Sequence, residues 1–249
     1  LINNFDIGIT TFSLRFDFVE KLIKDIRNLG VSNNILLCIN GEKDSNFDEE
    51  YRKKILSLCS SHTNVYPIFF IETRGLSKLW NTLVIHSTKD NILLLNDDID
   101  IYTDEIFRSV SNHLISNEYR GLTIINNTFS FFIVNKNTLH DLKYFDERLL
   151  GFGEEDGDIM YRYKKHTGNE VFRINVSGVK NIVSDIRHNH IKNGIGKYSL
   201  FNRNYIFNQK YKCNGDIFYF PYGIECDKVL DDIMQYPYET FFKENIRNL

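Results

Sequence analysis

The run Ile92-Leu93-Leu94-Leu95 offers no polar face to water, and it stops without transition at Asn96-Asp97-Asp98. A strand that is apolar on both sides must be covered on both sides, as happens in a parallel sheet flanked by helices. Ile35 to Ile39 reads the same way and closes at the turn signal Asn40-Gly41. Asp6 to Thr11 and Val65 to Ile71 are further strand patterns. Between them, Phe16 to Leu29 (ending at Gly30), Glu49 to Leu58 and Ser77 to Ser87 carry apolar residues at helical spacing. This alternation specifies an α/β fold, whose ligands gather at the carboxyl ends of strands. The acids after Leu95 fall at such an end.

The second half changes character. Gly121 to Asn126 and Phe129 to Asn135 read as adjacent strands, Lys136 to Leu142 and Ile159 to His166 as helices, and Val171 to Val176 as a strand. An aromatic-rich tail from Tyr198 carries helical patterns near Phe201 to Tyr211 and Asp227 to Tyr236. With no repeat or linker, the chain reads as one compact unit with a wrapping tail.

A net charge of -3 and a pI near 6.2 argue against a general nucleic-acid-binding face. Cys38, Cys59, Cys213 and Cys226 form no CxxC pair, and the first two read as buried free thiols. No stretch approaches the roughly 20 apolar residues that span a bilayer, and Leu1 to Asp6 is no signal peptide, so a cytosolic location is expected.

Four segments carry the chemistry. In Asn96-Asp97-Asp98-Ile99-Asp100, three closely spaced carboxylates repel one another unless a cation or a solvated turn accommodates them. Hard oxygen ligands there suit Mg2+ or Mn2+ bridging phosphates; a polar strand exit is the alternative. Glu154-Glu155-Asp156-Gly157-Asp158 precedes a helix that ends in Lys164, Lys165 and His166, which complements the helix dipole. Yet four acids exceed what capping needs, and Gly151, Gly153 and Gly157 let backbone approach a ligand. A carboxylate there suits a general base, and both readings stand. Asp185-Ile186-Arg187-His188-Asn189-His190 puts two histidines on one side of a strand, for metal, phosphate or structure. The bases beyond it, Lys192, Lys197 and Arg203, suit phosphates or a solvated face. Arg74-Gly75-Leu76-Ser77-Lys78-Leu79-Trp80-Asn81 opens a helix after a strand, a diphosphate cradle or a simple turn. It lacks the Gly-Lys-Ser/Thr end of a P-loop.

The order of these pieces resembles the GT-A glycosyltransferases, the nucleotide-sugar enzymes of family 2 and of the β-1,4-galactosyltransferase type. The matching pieces are Ile9-Thr10-Thr11-Phe12-Ser13-Leu14-Arg15, Gly75 to Asn81, the acids after Leu95, Phe145-Asp146-Glu147, Gly151-Phe152-Gly153-Glu154-Glu155-Asp156-Gly157-Asp158-Ile159, and Ile186-Arg187-His188. They span roughly residues 6 to 205.

The resemblance implies a single GT-A (nucleotide-diphospho-sugar transferase) domain over 1–249, with a mixed, mostly parallel central sheet flanked by helices. Residues 1–100 would form the nucleotide-binding half, 101–197 the acceptor and catalytic half, and 198–249 the wrapping tail. It implies a metal-dependent inverting transfer from a nucleotide-sugar donor, a UDP-sugar first, to a glycan or lipid-linked saccharide hydroxyl. Asp156 takes the place of the catalytic base, with Glu155 orienting the acceptor and Phe152 and Gly153 beside it. Thr10, Thr11, Arg15, Asn40, Arg74, Lys78, Asn81 and Asp97 fall to the donor, and Asp98, Asp100 and His188 to Mn2+ or Mg2+. The metal motif has two registers: Asn96-Asp97-Asp98, ending where the family's strand ends, makes Asp98 the chief ligand, and Asp98-Ile99-Asp100 makes it Asp100. Residues 98, 156 and 188 are expected to converge. Asn40-Gly41 replaces an acidic uridine contact, and Glu154 replaces a glycine beside the sugar. The partners implied are small molecules and saccharides, without nucleic acid or a transmembrane segment, at the cytoplasmic face of a membrane if the acceptor is lipid-linked. Two rivals remain: a carbohydrate-binding or scaffolding domain that keeps this fold, and a phosphoryl-transfer enzyme using Asp98 and Asp100.

Overall fold

The structure, a computed structural model, describes residues 4–12, 15–41, 47–182 and 200–211. The chain forms two compact units. The first comprises Leu1–Thr73, Leu79–Leu139 and Phe172–Asp185, and the second Arg74–Lys78, His140–Val171 and Ile186–Leu249.

The first unit holds the sheet. Strands β1 (Asp6–Thr11), β2 (Ile35–Ile39), β3 (Val65–Phe69) and β4 (Asn91–Asn96) pair in parallel in the order β3-β2-β1-β4. β1, β2 and the centre of β4 are buried residue after residue, as strands covered on both faces must be. Helix α1 (Phe16–Asn28) buries Phe18, Val19, Leu22, Ile23 and Ile26 along one stripe. α2 (Glu49–Ser61) starts at Asp48, whose Oδ1 accepts from the backbone N–H groups of Glu50 and Tyr51 at 3.0 Å. α3 (Leu76–His86) precedes β4, with Trp80 packed edge-on against Phe132 at 5.0 Å.

The direction of the sheet changes beyond β4. A short strand β5 (Ile99–Ile101) and helix α4 (Glu105–Leu114) intervene, and then β6 (Leu122–Ile125) and β7 (Thr128–Asn135) form a hairpin. Asn126 and Asn127 turn it at φ 50° and 58°, the left-handed pair that a tight hairpin of this hand requires. β7 pairs antiparallel with β4, and β8 (Phe172–Ile174) extends the sheet from β6 in parallel. The result is a mixed, mostly parallel seven-stranded sheet, as expected. β5 and β9 (Val179–Asn181) form a separate antiparallel pair that the sequence patterns did not indicate.

In the second unit, helix α6 (Glu155–Thr167) follows the short α5 (Lys136–Asp141). It starts four residues before the expected Ile159, so Glu155, Asp156 and Asp158 lie within its first turn and not ahead of it. Its far end carries Lys164, Lys165 and His166 and stops at Gly168, which is left-handed at φ 73°. Residues 200–204 are helical and continue into a π-helical segment, Tyr205–Lys210. Leu149, Tyr161, Tyr205, Ile206 and Tyr211 form the local core. The helical pattern near Asp227 to Tyr236 lies outside the described residues.

Candidate active site

Strand order places the first cluster. From β1 the chain moves outward through β2 and β3, then returns to β4 on the other side of β1. A crevice forms at the carboxyl ends of strands where the order reverses in this way. Thr10 of β1 pairs there with Asn96 of β4. Thr11 is buried beside them, and its carbonyl accepts from the Asn40 backbone N–H at 2.8 Å. Asn40 Oδ1 in turn accepts from the Gly41 N–H at 3.0 Å. Gly41 has no alternative: a Cβ there would lie 2.4 Å from the Glu72 carbonyl carbon.

Arg15 holds the two acids that follow β4. Its Nη1 donates to Asp97 Oδ1 at 2.6 Å and its Nη2 to Asp98 Oδ2 at 2.9 Å. Asp97 is sealed in: burial pushes its carboxyl up to about 7, against the pull of Arg15 and with a further push from Asp98. Asp98 keeps 13% of its side-chain surface exposed, against 2% for Asp97. The Asp98 carbonyl accepts from the Ile182 N–H at 2.8 Å, which fixes the backbone after the strand. Asp100 lies on β5 and accepts from Lys21 Nζ at 2.7 Å and the Tyr102 hydroxyl at 3.1 Å. Although burial opposes it, those two partners hold Asp100 below the usual carboxylate range.

This donor set suits a hard divalent cation. Mg2+-type sites commonly take one or two carboxylates from the protein and their remaining oxygens from phosphates and water. Asp98, a carboxylate side chain left partly open at the strand end, fits that pattern. Among the described residues no three or more His, Cys, Asp or Glu side chains are grouped so that they could hold a metal ion by themselves.

The second cluster surrounds the start of α6. Glu154 precedes the helix in the left-handed region (φ 78°), and its Oε1 accepts from Arg203 Nε and Nη2 at 3.2 and 3.1 Å. Glu155 is 4% exposed, and burial, then the charge of Asp156, pushes its carboxyl up to about 8. Asp156 is exposed to solvent, yet the protein packed around it raises its carboxyl above the ordinary value. The Gly157 N–H donates to Asp156 Oδ1 at 2.7 Å and opposes that rise.

Asp158 faces inward. Burial alone would raise it, but Arg162 at 2.7 Å and Lys210 at 2.8 Å hold it below the usual range. Lys210 also reaches Asp146 at 2.7 Å, as does Arg148. Asn202 fastens the preceding loop: its Nδ2 donates to the Leu150 and Gly153 carbonyls, and its Oδ1 accepts from the Leu150 N–H. Phe152 and Gly153 are left half-buried. On the Arg74–Lys78 segment, the Leu76 N–H donates to the Gly151 carbonyl at 2.6 Å, and Lys78 pairs with Glu147 at 3.3 Å. A Cβ on Gly75 would stand 2.7 Å from the Leu149 carbonyl oxygen.

No family model matches the chain, and no curated protein sequence matches it. Solved structures do. A mannosyltransferase from Pyrobaculum calidifontis, in complex with GDP-Man and Mn2+, matches with a TM-score of 0.56 at 11% identity, over 70% of this chain and 56% of that one. Glucosyl-3-phosphoglycerate synthase from Mycobacterium tuberculosis, in complex with Mn2+, UDP and glucosyl-3-phosphoglycerate, matches with 0.59 at 9%, over 83% and 80%. S. aureus TarS matches with 0.56 at 12%, over 86% and 40%. The chain has the GT-A glycosyltransferase fold. It spans little more than half of the mannosyltransferase chain and less than half of TarS.

Within this GT-A fold, Thr10, Thr11, Arg15, Asn40, Asn81, Asp97, Asp98 and Asp100 belong to the first unit. Arg74, Lys78, Phe152, Gly153, Glu155 and Asp156 belong to the second. His188 lies outside the described residues, as do Lys192 and Lys197. Arg15 and Lys78 are both engaged by acids of their own unit, and Arg203 by Glu154. The sequence reading missed Lys21, Asn202, Lys210 and Tyr211. Each acts on a residue at least 49 positions away, so no local pattern announces it.

Proposed function

We propose that the chain is a divalent-metal-dependent inverting glycosyltransferase, moving a sugar from a nucleoside-diphosphate donor to a hydroxyl of a glycan or lipid-linked saccharide. The observation that carries this reading is the Asp97–Asp98 pair at the β1/β4 reversal of a GT-A sheet. The nucleotide and Mn2+ complexes among the matching structures support it. A UDP-sugar is the first donor to test. No helix among the described residues is long and apolar enough to cross a membrane, and we place the reaction in the cytoplasm, at the inner face of the membrane for a lipid-linked acceptor.

Asp98, with His188 and with Asp100 nearby, would hold Mn2+ or Mg2+. Such an ion supplies Lewis-acid neutralisation of the leaving diphosphate. Thr10, Thr11, Asn40 and Asn81 are assigned to the nucleotide side, together with Arg74 and Lys78 at the start of α3. Asp156 takes the proton of the acceptor hydroxyl while its oxygen bonds to the anomeric carbon and the bond to the diphosphate oxygen breaks, which inverts that centre. Its exposed carboxylate and raised proton affinity suit a base. Glu155, protonated at neutral pH, orients the acceptor by donating a hydrogen bond, and half-buried Phe152 provides a surface for the sugar ring.

The test is release of nucleoside diphosphate from a panel of UDP- and GDP-sugars with saccharide acceptors, with Mn2+ and with EDTA. Metal-dependent, acceptor-stimulated release is expected. No release from any donor, with sugar binding retained, leaves the non-catalytic carbohydrate-binding role in its place.

A further inference from the structure

We propose that Arg15 is a built-in cation of the strand-end site: a positioning residue that keeps Asp97 and Asp98 assembled without a metal and makes the chain favour an ion that arrives with a diphosphate over a lone ion. This role rests on the assignment of Asp98 to a metal–diphosphate donor made above.

One guanidinium spans two successive carboxylates, at 2.6 Å to Asp97 and 2.9 Å to Asp98. It is also caged, with its central carbon 5.3 Å from the Phe12 ring centre and 5.2 Å from that of Phe18. Arg15 is 6% exposed, so its charge is fixed and poorly screened by water. A planar fork held in this way gives up little freedom when it binds carboxylates, unlike an exposed lysine.

The charge balance has a direct consequence. One guanidinium is shared between two carboxylates, so it offsets part of their charge and leaves the pair a reduced attraction for a cation. Asp97 Oδ2 is buried without a hydrogen-bond donor, so Arg15 engages only one oxygen of that carboxyl. A lone divalent ion is drawn to Asp98 and repelled by the neighbouring guanidinium. A diphosphate brings negative charge of its own, which offsets that repulsion. Ion and nucleotide then bind synergistically, and the empty site stays assembled because Arg15 already balances much of the acid charge.

The full chain would be titrated with Mn2+ alone by calorimetry, and then with Mn2+ in the presence of UDP or GDP. Wild type is expected to bind lone Mn2+ weakly and to bind it at least tenfold more tightly with a nucleoside diphosphate. Arg15→Gln should bind lone Mn2+ at least tenfold more tightly than wild type and lose most of the gain from the nucleotide. Its thermal midpoint should fall in EDTA and recover with Mn2+, because the ion replaces the missing charge. Arg15→Lys keeps the charge without the fork and should retain the weak lone-ion binding of wild type. Asp98→Asn should abolish binding in either background. An Arg15→Gln chain, folded by circular dichroism, that binds lone Mn2+ no better than wild type overturns the role of Arg15, as does an Arg15→Lys chain that behaves like Arg15→Gln. If that happens while metal-dependent release of nucleoside diphosphate persists, only the Arg15 role falls. Absence of both Mn2+ binding and release overturns the glycosyltransferase reading as well.

Discussion

The Tyr211 hydroxyl donates a 2.6 Å hydrogen bond to Asp158, a carboxylate with no exposed surface in the first turn of α6. Lys210 adds an ion pair to the same Asp158 and another to Asp146, so two consecutive residues at the end of the π-helical segment anchor the start of α6. Removing one partner of a buried ion cluster strands the others, so Lys210→Met should cost about 3–5 kcal/mol. Tyr211→Phe, which loses one hydrogen bond to a charged group, should cost about 1.5–3 kcal/mol. Urea unfolding at pH 7 checks both.

The same cluster sets the acid limb of stability. Asp146 and Asp158 are held below the ordinary carboxylate range by Lys210, Arg148 and Arg162, in spite of burial. The unfolded chain therefore takes up these protons first, at roughly pH 4. The contribution is fully present above that pH and is lost as pH falls through the folded values. Melting temperature across pH 2–7 should drop steeply below about pH 4 in wild type, and less steeply in Lys210→Met.

Glu155 works in the opposite sense. Its folded value of about 8 stands against an ordinary 4.5. Between those values the folded chain keeps a proton that the unfolded chain gives up, so stability falls as pH rises through the window. Glu155→Gln should remove this slope and make the protein relatively more stable at pH 9. Denaturant midpoints at pH 5 and pH 9 give the comparison. Parallel slopes in the two proteins would count against a protonated Glu155.

Asp156→Asn should lower turnover roughly 10²–10⁴-fold, the usual contribution of a general base, with little effect on donor KM. Because Asp156 is raised above the ordinary value, the wild-type rate should climb with pH until that carboxyl is ionised. The variant should lack this limb. Near-normal turnover in the variant would remove Asp156 from the role.

Glu154 sits left-handed at φ 78°, which costs a non-glycine residue about 1 kcal/mol or more. Glu154→Gly relieves that strain and loses the ion pair with Arg203, whose own side chain is 47% exposed, a pair worth about 1 kcal/mol. A thermal midpoint equal to or slightly above wild type is expected. Glu154→Ala, which keeps the strain and loses the pair, should melt lower than both.

What the sequence discloses follows the range of the interactions. Ile92 to Leu95 identifies itself as β4 because burial on both faces leaves no other use for four apolar residues, and the acids at its end follow directly. β5 and β9 have three residues each, too few for any period to show, and β5 reads simply as Ile-Asp-Ile between acids and a turn. α4 is anchored by Ile106, Phe107 and Val110 amid polar residues, a thin signal over ten positions. The start of α6 is misplaced because Gly157 argues against helix locally, while burial of Asp158 against Lys210 and Tyr211 overrides that preference. Arg15 finds Asp97 across 82 positions, a pairing visible only once the strand order is known.

The β6–β7 hairpin has one more implication. β7 begins three residues before Phe131, the partner of Leu95, so its first residues and the Asn126-Asn127 turn run past the last paired position of β4. Hairpin tips tolerate exchange and insertion far better than paired strands do. This tip is an exception in part: the Asn126 side chain donates to the Val176 carbonyl at 2.8 Å and accepts from the Val176 N–H at 2.7 Å, so the rim flanking the acids is clamped to the segment after β8 and change there is confined to side chains outside that clamp.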